Sequence, residues 1–101
     1  MAELMKGKRG LIMGVANERS IAWAIAKEVL ENGGLCGFTH LPDRLDDEKK
    51  KNRRRVAKCT EKYENARFLV PLDVRDDKQI AEVAGRAAEE FGKIDFLVHS
   101  I

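Results

Sequence analysis

Apolar residues fall into four short runs separated by stretches where they recur only every third or fourth position. Gly10–Met13, Leu35–Thr39, Arg67–Pro71 and Ile94–Val98 read as strands, each too short and too uniformly apolar for an amphipathic helix. Ile21–Glu31 reads as a helix with Ser20 at its N-cap and Gly33 at its stop. A second helix is predicted to start at Pro42 and Asp43, with Asp43 capping it, and to run to about Tyr63. Its apolar positions Leu45, Val56, Cys59 and Tyr63 are sparse, so most of it should face water. Asp76–Phe91 reads as a third helix carrying Ile80, Val83, Ala84, Ala87, Ala88 and Phe91 on one face, closed by Gly92. No repeat, linker or low-complexity tract interrupts this alternation.

Strands that are apolar throughout belong in a parallel sheet covered on both faces. Right-handed crossovers then give the strand order 3-2-1-4, an α/β doubly wound sheet of Rossmann type. Ligands bind such sheets at the carboxyl ends of the strands, where the order reverses. Here that edge collects the loops Gly14–Ser20, His40–Pro42, Asp73–Arg75 and Ser100–Ile101. The strand–turn–helix at Gly14 fits an anion: a glycine allows a sharp turn, and a helix N-terminus offers free N–H groups and a positive dipole end. Only one glycine of the usual three-glycine fingerprint is present; Ser20 and Ala22 hold the later small positions.

With 101 residues, 44% of them apolar and 36% charged, the chain has the makeup of a globular domain or part of one. No apolar stretch is long enough for a membrane span, and Met1–Arg9 lacks a signal-peptide hydrophobic region. Cys36 and Cys59 form no CxxC pair, which fits reduced thiols and a cytoplasmic setting. Seven of the ten residues Lys49–Lys58 are basic. They lack interleaved aromatics and follow Asp43, Asp46, Asp47 and Glu48, so a solvated helix face is expected and no nucleic-acid partner. His40 and His99 have no Cys or carboxylate at ligand spacing, so no metal site is expected.

The segment Gly14-Val-Ala-Asn-Glu-Arg-Ser-Ile-Ala-Trp-Ala-Ile-Ala26, together with Leu72-Asp73-Val74 and Phe96-Leu-Val-His-Ser-Ile101, resembles the enoyl-acyl carrier protein reductases. These are a divergent branch of the short-chain dehydrogenase/reductase family. The resemblance implies NADH-dependent reduction of a trans-2-enoyl chain carried on acyl carrier protein, in a homotetramer. It implies a cofactor site of Gly14, Ser20 and Ile21 at the pyrophosphate and Leu41 at the adenosine ribose. Asp73 and Val74 would flank the adenine, with Ser100 and Ile101 near the nicotinamide-side ribose and phosphates. Leu41 departs from the amide the family often carries there, and only its backbone can contact a ribose. Arg44 offers a guanidinium to a 2′-phosphate, so NADPH stays open beside NADH. The family's catalytic tyrosine and lysine lie beyond residue 101, so residues 1–101 are expected to form the N-terminal part of one dinucleotide-binding domain with no catalytic residue. Two other readings remain: a different short-chain reductase using NADPH, and a non-catalytic nucleotide-binding fragment.

Overall fold

A computed structural model describes residues 4–101. Part of the charged N-terminal segment, residues 1–3, lies outside the described residues. Seven elements alternate: β1 (Arg9–Met13), α1 (Ile21–Glu31), β2 (Leu35–His40), α2 (Lys51–Thr60), β3 (Ala66–Pro71), α3 (Asp77–Phe91) and β4 (Phe96–His99). The sheet order is β3-β2-β1-β4 and every pairing is parallel. The topology expected from the sequence is therefore the one observed.

Alternation along the strands splits the core. On one face Ile12, Cys36 and Phe38 meet Trp23, Ala26 and Leu30 of α1 and Val56 and Cys59 of α2. On the other, Leu11, Phe68 and Leu72 meet Val83, Ala87 and Phe91 of α3. Two helices thus cover one face and one helix the other. The uncovered half, over β1 and β4, is a groove of about 440 Å³ lined by Leu11, Met13, Ile80, Ala84, Ile94 and Leu97. Ile80, Ala84 and Ala88 share a face with Val83 and Ala87, as expected, but there they line this groove and stay exposed. Both cysteines are free and buried, and burial pushes the Cys36 thiol up to about 12.

The second helix is shorter than its sequence implies. Residues 42–50 form turns in place of helix, with Asp47 N–H donating to Arg44 O and Lys50 N–H to Asp47 O. Lys50 sits in the left-handed region at φ 51°, so the helical chain begins only at Lys51. Leu45 is fully exposed in these turns and belongs to no helix face. Asp43 still caps α2, but from nine residues upstream: its carboxylate accepts the N–H groups of Asn52 (2.7 Å) and Arg53 (3.2 Å). Tyr63 lies past the helix end, edge-on to Trp23, and donates its hydroxyl to Glu31 at 2.8 Å. Ile94 precedes β4 rather than opening it, because Asp95 turns back to exchange hydrogen bonds with Arg9.

Candidate functional site

The carboxyl edge of β1 and β4 is held closed at one point. Ser100 N–H donates to Met13 O at 3.1 Å, seating the residue after β4 against the last residue of β1. Gly14 takes φ +112°, a conformation that side chains rarely adopt, and a Cβ there would stand 2.2 Å from Ser100 O. Glycine is thus required twice over, by its backbone angle and by the approach of a second strand. A cavity of about 230 Å³ opens at this junction, lined by Gly14, Ala16, His40, Leu41, Ser100 and Ile101 among others.

The loop between β1 and α1 is held by Ser20. Its hydroxyl accepts the N–H groups of Ala16 (2.9 Å) and Asn17 (3.1 Å), closing the turn upstream of the helix. Ser20 occupies the N-cap position, yet its side chain does not cap α1 as expected, because it is engaged with the loop. No acidic residue lies in the first turn either. Neither the N-cap side chain nor a first-turn acid therefore answers the positive end of α1, while Ala22 is fully buried against the sheet. Ile21 opens the helix with its side chain exposed. A turn fixed from below with its helix dipole open suits a diphosphate.

Four of the eight residues singled out from the sequence, Gly14, Leu41, Ser100 and Ile101, line the cavity together. Ser20 and Ile21 are not in its lining; Ser20 is tied to it through Ala16, whose N–H its hydroxyl accepts. Asp73 and Val74 are not in its lining: Leu72 lines the cavity and donates its N–H to His40 O at 2.8 Å, and the chain then turns away. Val74 faces the apolar groove beside α3. The Asp73 carboxylate receives Nε (3.0 Å) and Nη2 (2.9 Å) of Arg75 and its N–H (3.0 Å). These bonds lower its pKa to about 2. Oδ1 accepts two of these bonds and Oδ2 one, so Oδ2 keeps a lone pair for a further donor.

His40, on the edge loop His40–Pro42 but assigned no role from the sequence, belongs to the cavity wall. It is only 6% exposed, and its Nδ1–H donates to Leu41 O at 2.9 Å. Its Nε2 is buried without a partner. Burial lowers its pKa, and the nearby Arg53 charge adds to this against the Leu41 hydrogen bond and Asp43, so the ring is neutral at pH 7. The signal lay in its position at the last residue of β2, on the edge where ligands sit. Among the described residues no three His, Cys, Asp or Glu side chains are grouped to hold a metal ion. Among the same residues no helix is long and apolar enough to cross a membrane.

A family model described as enoyl-(acyl carrier protein) reductase matches residues 14–101. An enoyl-[acyl-carrier-protein] reductase [NADH] of Rhizobium meliloti is 43% identical over 101 residues, all of this chain and 35% of that protein. The crystal structure of the Anaplasma phagocytophilum reductase in complex with NAD is 38% identical with a TM-score of 0.81, covering 98% of this chain and 35% of that one. The Bacillus cereus enoyl-acyl carrier protein reductase, solved with NADP+ and indole naphthyridinone, is 35% identical with a TM-score of 0.80, covering 96% and 35%. The chain spans about a third of the length of these relatives.

Proposed function

Because the chain belongs to the enoyl-(acyl carrier protein) reductase family, we propose that the whole protein reduces the trans-2 double bond of an acyl chain carried on acyl carrier protein, using NADH. Residues 1–101 form the adenosine and pyrophosphate half of the cofactor site within one dinucleotide-binding domain. The observation that carries this reading is Gly14, held at φ +112° against Ser100 O beside the N-terminus of α1, which has neither a side-chain cap from Ser20 nor an acid in its first turn. The pyrophosphate is held there by the N–H groups of Ile21 and Ala22 and by those of the Gly14 loop that Ser20 and Asn17 do not take. Ser20 fixes the loop in the shape that presents them. The backbone of Leu41 meets the adenosine ribose, Asp73 and Val74 contact the adenine from the neighbouring loop, and Ser100 and Ile101 meet the nicotinamide-side ribose.

When bound, the nicotinamide supplies a hydride to the β-carbon of the acyl chain. The tyrosine and lysine that complete the chemistry in the family come from the rest of the protein, as do the surfaces of a homotetramer. Tyr63, tied to Glu31 behind α1, has no part in it. A cytoplasmic protein fits the two free cysteines.

The test is a titration of the full chain with NADH, followed by energy transfer from its one tryptophan, Trp23. Saturable binding displaced by ADP is expected, with no NADH oxidation when an enoyl thioester is added. Absence of binding, or binding that ADP does not displace, refutes the cofactor assignment. Oxidation of NADH by the chain alone refutes the placing of the proton chemistry elsewhere.

A further inference from the structure

The outer face of α2 takes no part in the cofactor site, and it is basic. Lys51, Arg54, Arg55 and Lys58 recur at the three- and four-residue spacing that brings side chains together on one side of a helix. All four are exposed, and they alone line a depression of about 220 Å³.

This face works against the helix that carries it. Lys51 neighbours Arg54 and Arg55, and both arginines neighbour Lys58, so like charges repel at every spacing. The first turn of α2 holds no acid, which leaves Lys51 and Arg54 at the positive end of the helix dipole. The acids upstream are committed elsewhere. Asp43 accepts the N–H groups of Asn52 and Arg53, Asp46 pairs with Arg44 at 3.1 Å, and Asp47 accepts the N–H groups of Lys49, Lys50 and Lys51. Among the described residues none of the four cations forms an ion pair, although Asp47 feels the Lys51 charge. Natural chains break local rules of this kind where a function requires it.

The limits of the patch point to the chemistry of its occupant. From Lys51 to Lys58 it rises about 10 Å, two helical turns. Its flanks are mixed in sign: Glu48 stands above with Lys49 and Lys50, and Glu61 and Glu64 below with Lys62, all exposed. A nucleic-acid strand or an anionic lipid surface runs past both ends and meets those carboxylates. No aromatic side chain lines the depression to stack a base, and Tyr63 is packed edge-on to Trp23 and bonded to Glu31. A second helix with carboxylates on two successive turns matches both the length and the spacing.

We propose that this face of α2 docks an acidic helix of a partner protein, its carboxylates received by Lys51, Arg54, Arg55 and Lys58.

The experiment titrates the full chain into a labelled, alanine-based helical peptide with glutamates at positions i, i+3, i+4 and i+7, followed by fluorescence anisotropy. The control peptide has the same composition with its glutamates spread around the helix. The aligned peptide is expected to bind about fivefold more tightly or better, by a margin that shrinks as salt is raised. Arg54→Gln/Arg55→Gln should abolish that preference. Lys27→Gln/Lys93→Gln, which removes the same charge from exposed positions elsewhere, should keep it. Because repulsion is relieved, the arginine variant should unfold at the same temperature as the unaltered chain or higher. Equal binding of the two peptides overturns the proposal. A lowered unfolding temperature in the arginine variant also overturns it, by showing that the cations serve the fold. Displacement of the aligned peptide by an oligonucleotide or by phosphatidylserine vesicles at equal charge concentration gives the face to that class and overturns it as well.

Discussion

Replacing Gly14 with alanine tests the junction on which the site depends. The new Cβ would stand 2.2 Å from Ser100 O and 2.7 Å from Ser100 C, both backbone atoms, so no side-chain rotation relieves the contact. Ordinary carbon–oxygen contact would require the end of β4 to retreat by about 1 Å, an overpacking that typically costs about 1–3 kcal/mol. The backbone angle of +112° adds roughly another 1–3 kcal/mol for a residue with a side chain. Together these give about 2–6 kcal/mol, a large part of the roughly 5–15 kcal/mol that holds a small domain. At about 4–8 °C per kcal/mol, thermal unfolding followed by circular dichroism should shift down by about 10 °C or more. NADH binding should weaken at least tenfold, because the retreat opens the cavity wall that Gly14 and Ser100 share. Gly92→Ala is the control: it has a comparable positive φ of +74° but nothing within 4 Å of the added carbon. Equal losses in the two variants would show that the Ser100 contact carries no energy and would refute the reasoning.

Gly85 lies exposed inside α3 with nothing within 4 Å of an added Cβ, so Gly85→Ala should stabilise the protein by about 0.5–1 kcal/mol in a urea titration. Asp43→Ala removes the carboxylate that accepts Asn52 and Arg53 N–H, and should cost about 1–2 kcal/mol by the same assay, with part of the helical circular dichroism lost. Asp73 stays ionised in the folded chain down to about pH 2, chiefly through its bonds to Arg75. Because its folded pKa lies below the unfolded value, its contribution to stability is complete above about pH 4 and disappears as pH falls toward 2. Carboxyl-carbon NMR should report that low midpoint, and Arg75→Ala should return it toward the ordinary aspartate range; an unmoved midpoint would dismiss the pairing.

The strands were legible because parallel strands buried on both faces must be apolar throughout, as Ile12 and Phe38 are. The glycine turn was legible because few residues substitute for it there. The start of α2 was not. A proline and two acids ahead of a charged stretch resemble a helix start, yet the positive φ of Lys50 delays the helix to Lys51. The cap then reaches across the loop from Asp43, a contact that no local spacing encodes. His40 was missed because a lone histidine carries no local signal. Its edge position was legible, but its burial in the cavity wall emerges only when β2 is set beside Leu72 and the Gly14 loop. Asp73 and Val74 show a different limit: their position after β3 put them on the correct edge, but Arg75 and the groove beside α3 set where they face.

The pairing of β1 with β4 has a kinetic meaning. Arg9 and Asp95, which lock its lower end, are 86 positions apart in the chain. Every other strand pairing closes a much shorter loop, and long loops are the slowest to close because their entropy is lost before their contacts form. Contact order therefore predicts that the β1–β2 and β2–β3 pairings form before β4 closes on the glycine turn. A ligand that needs both walls is then expected to slow the release of β4 rather than to speed its closing.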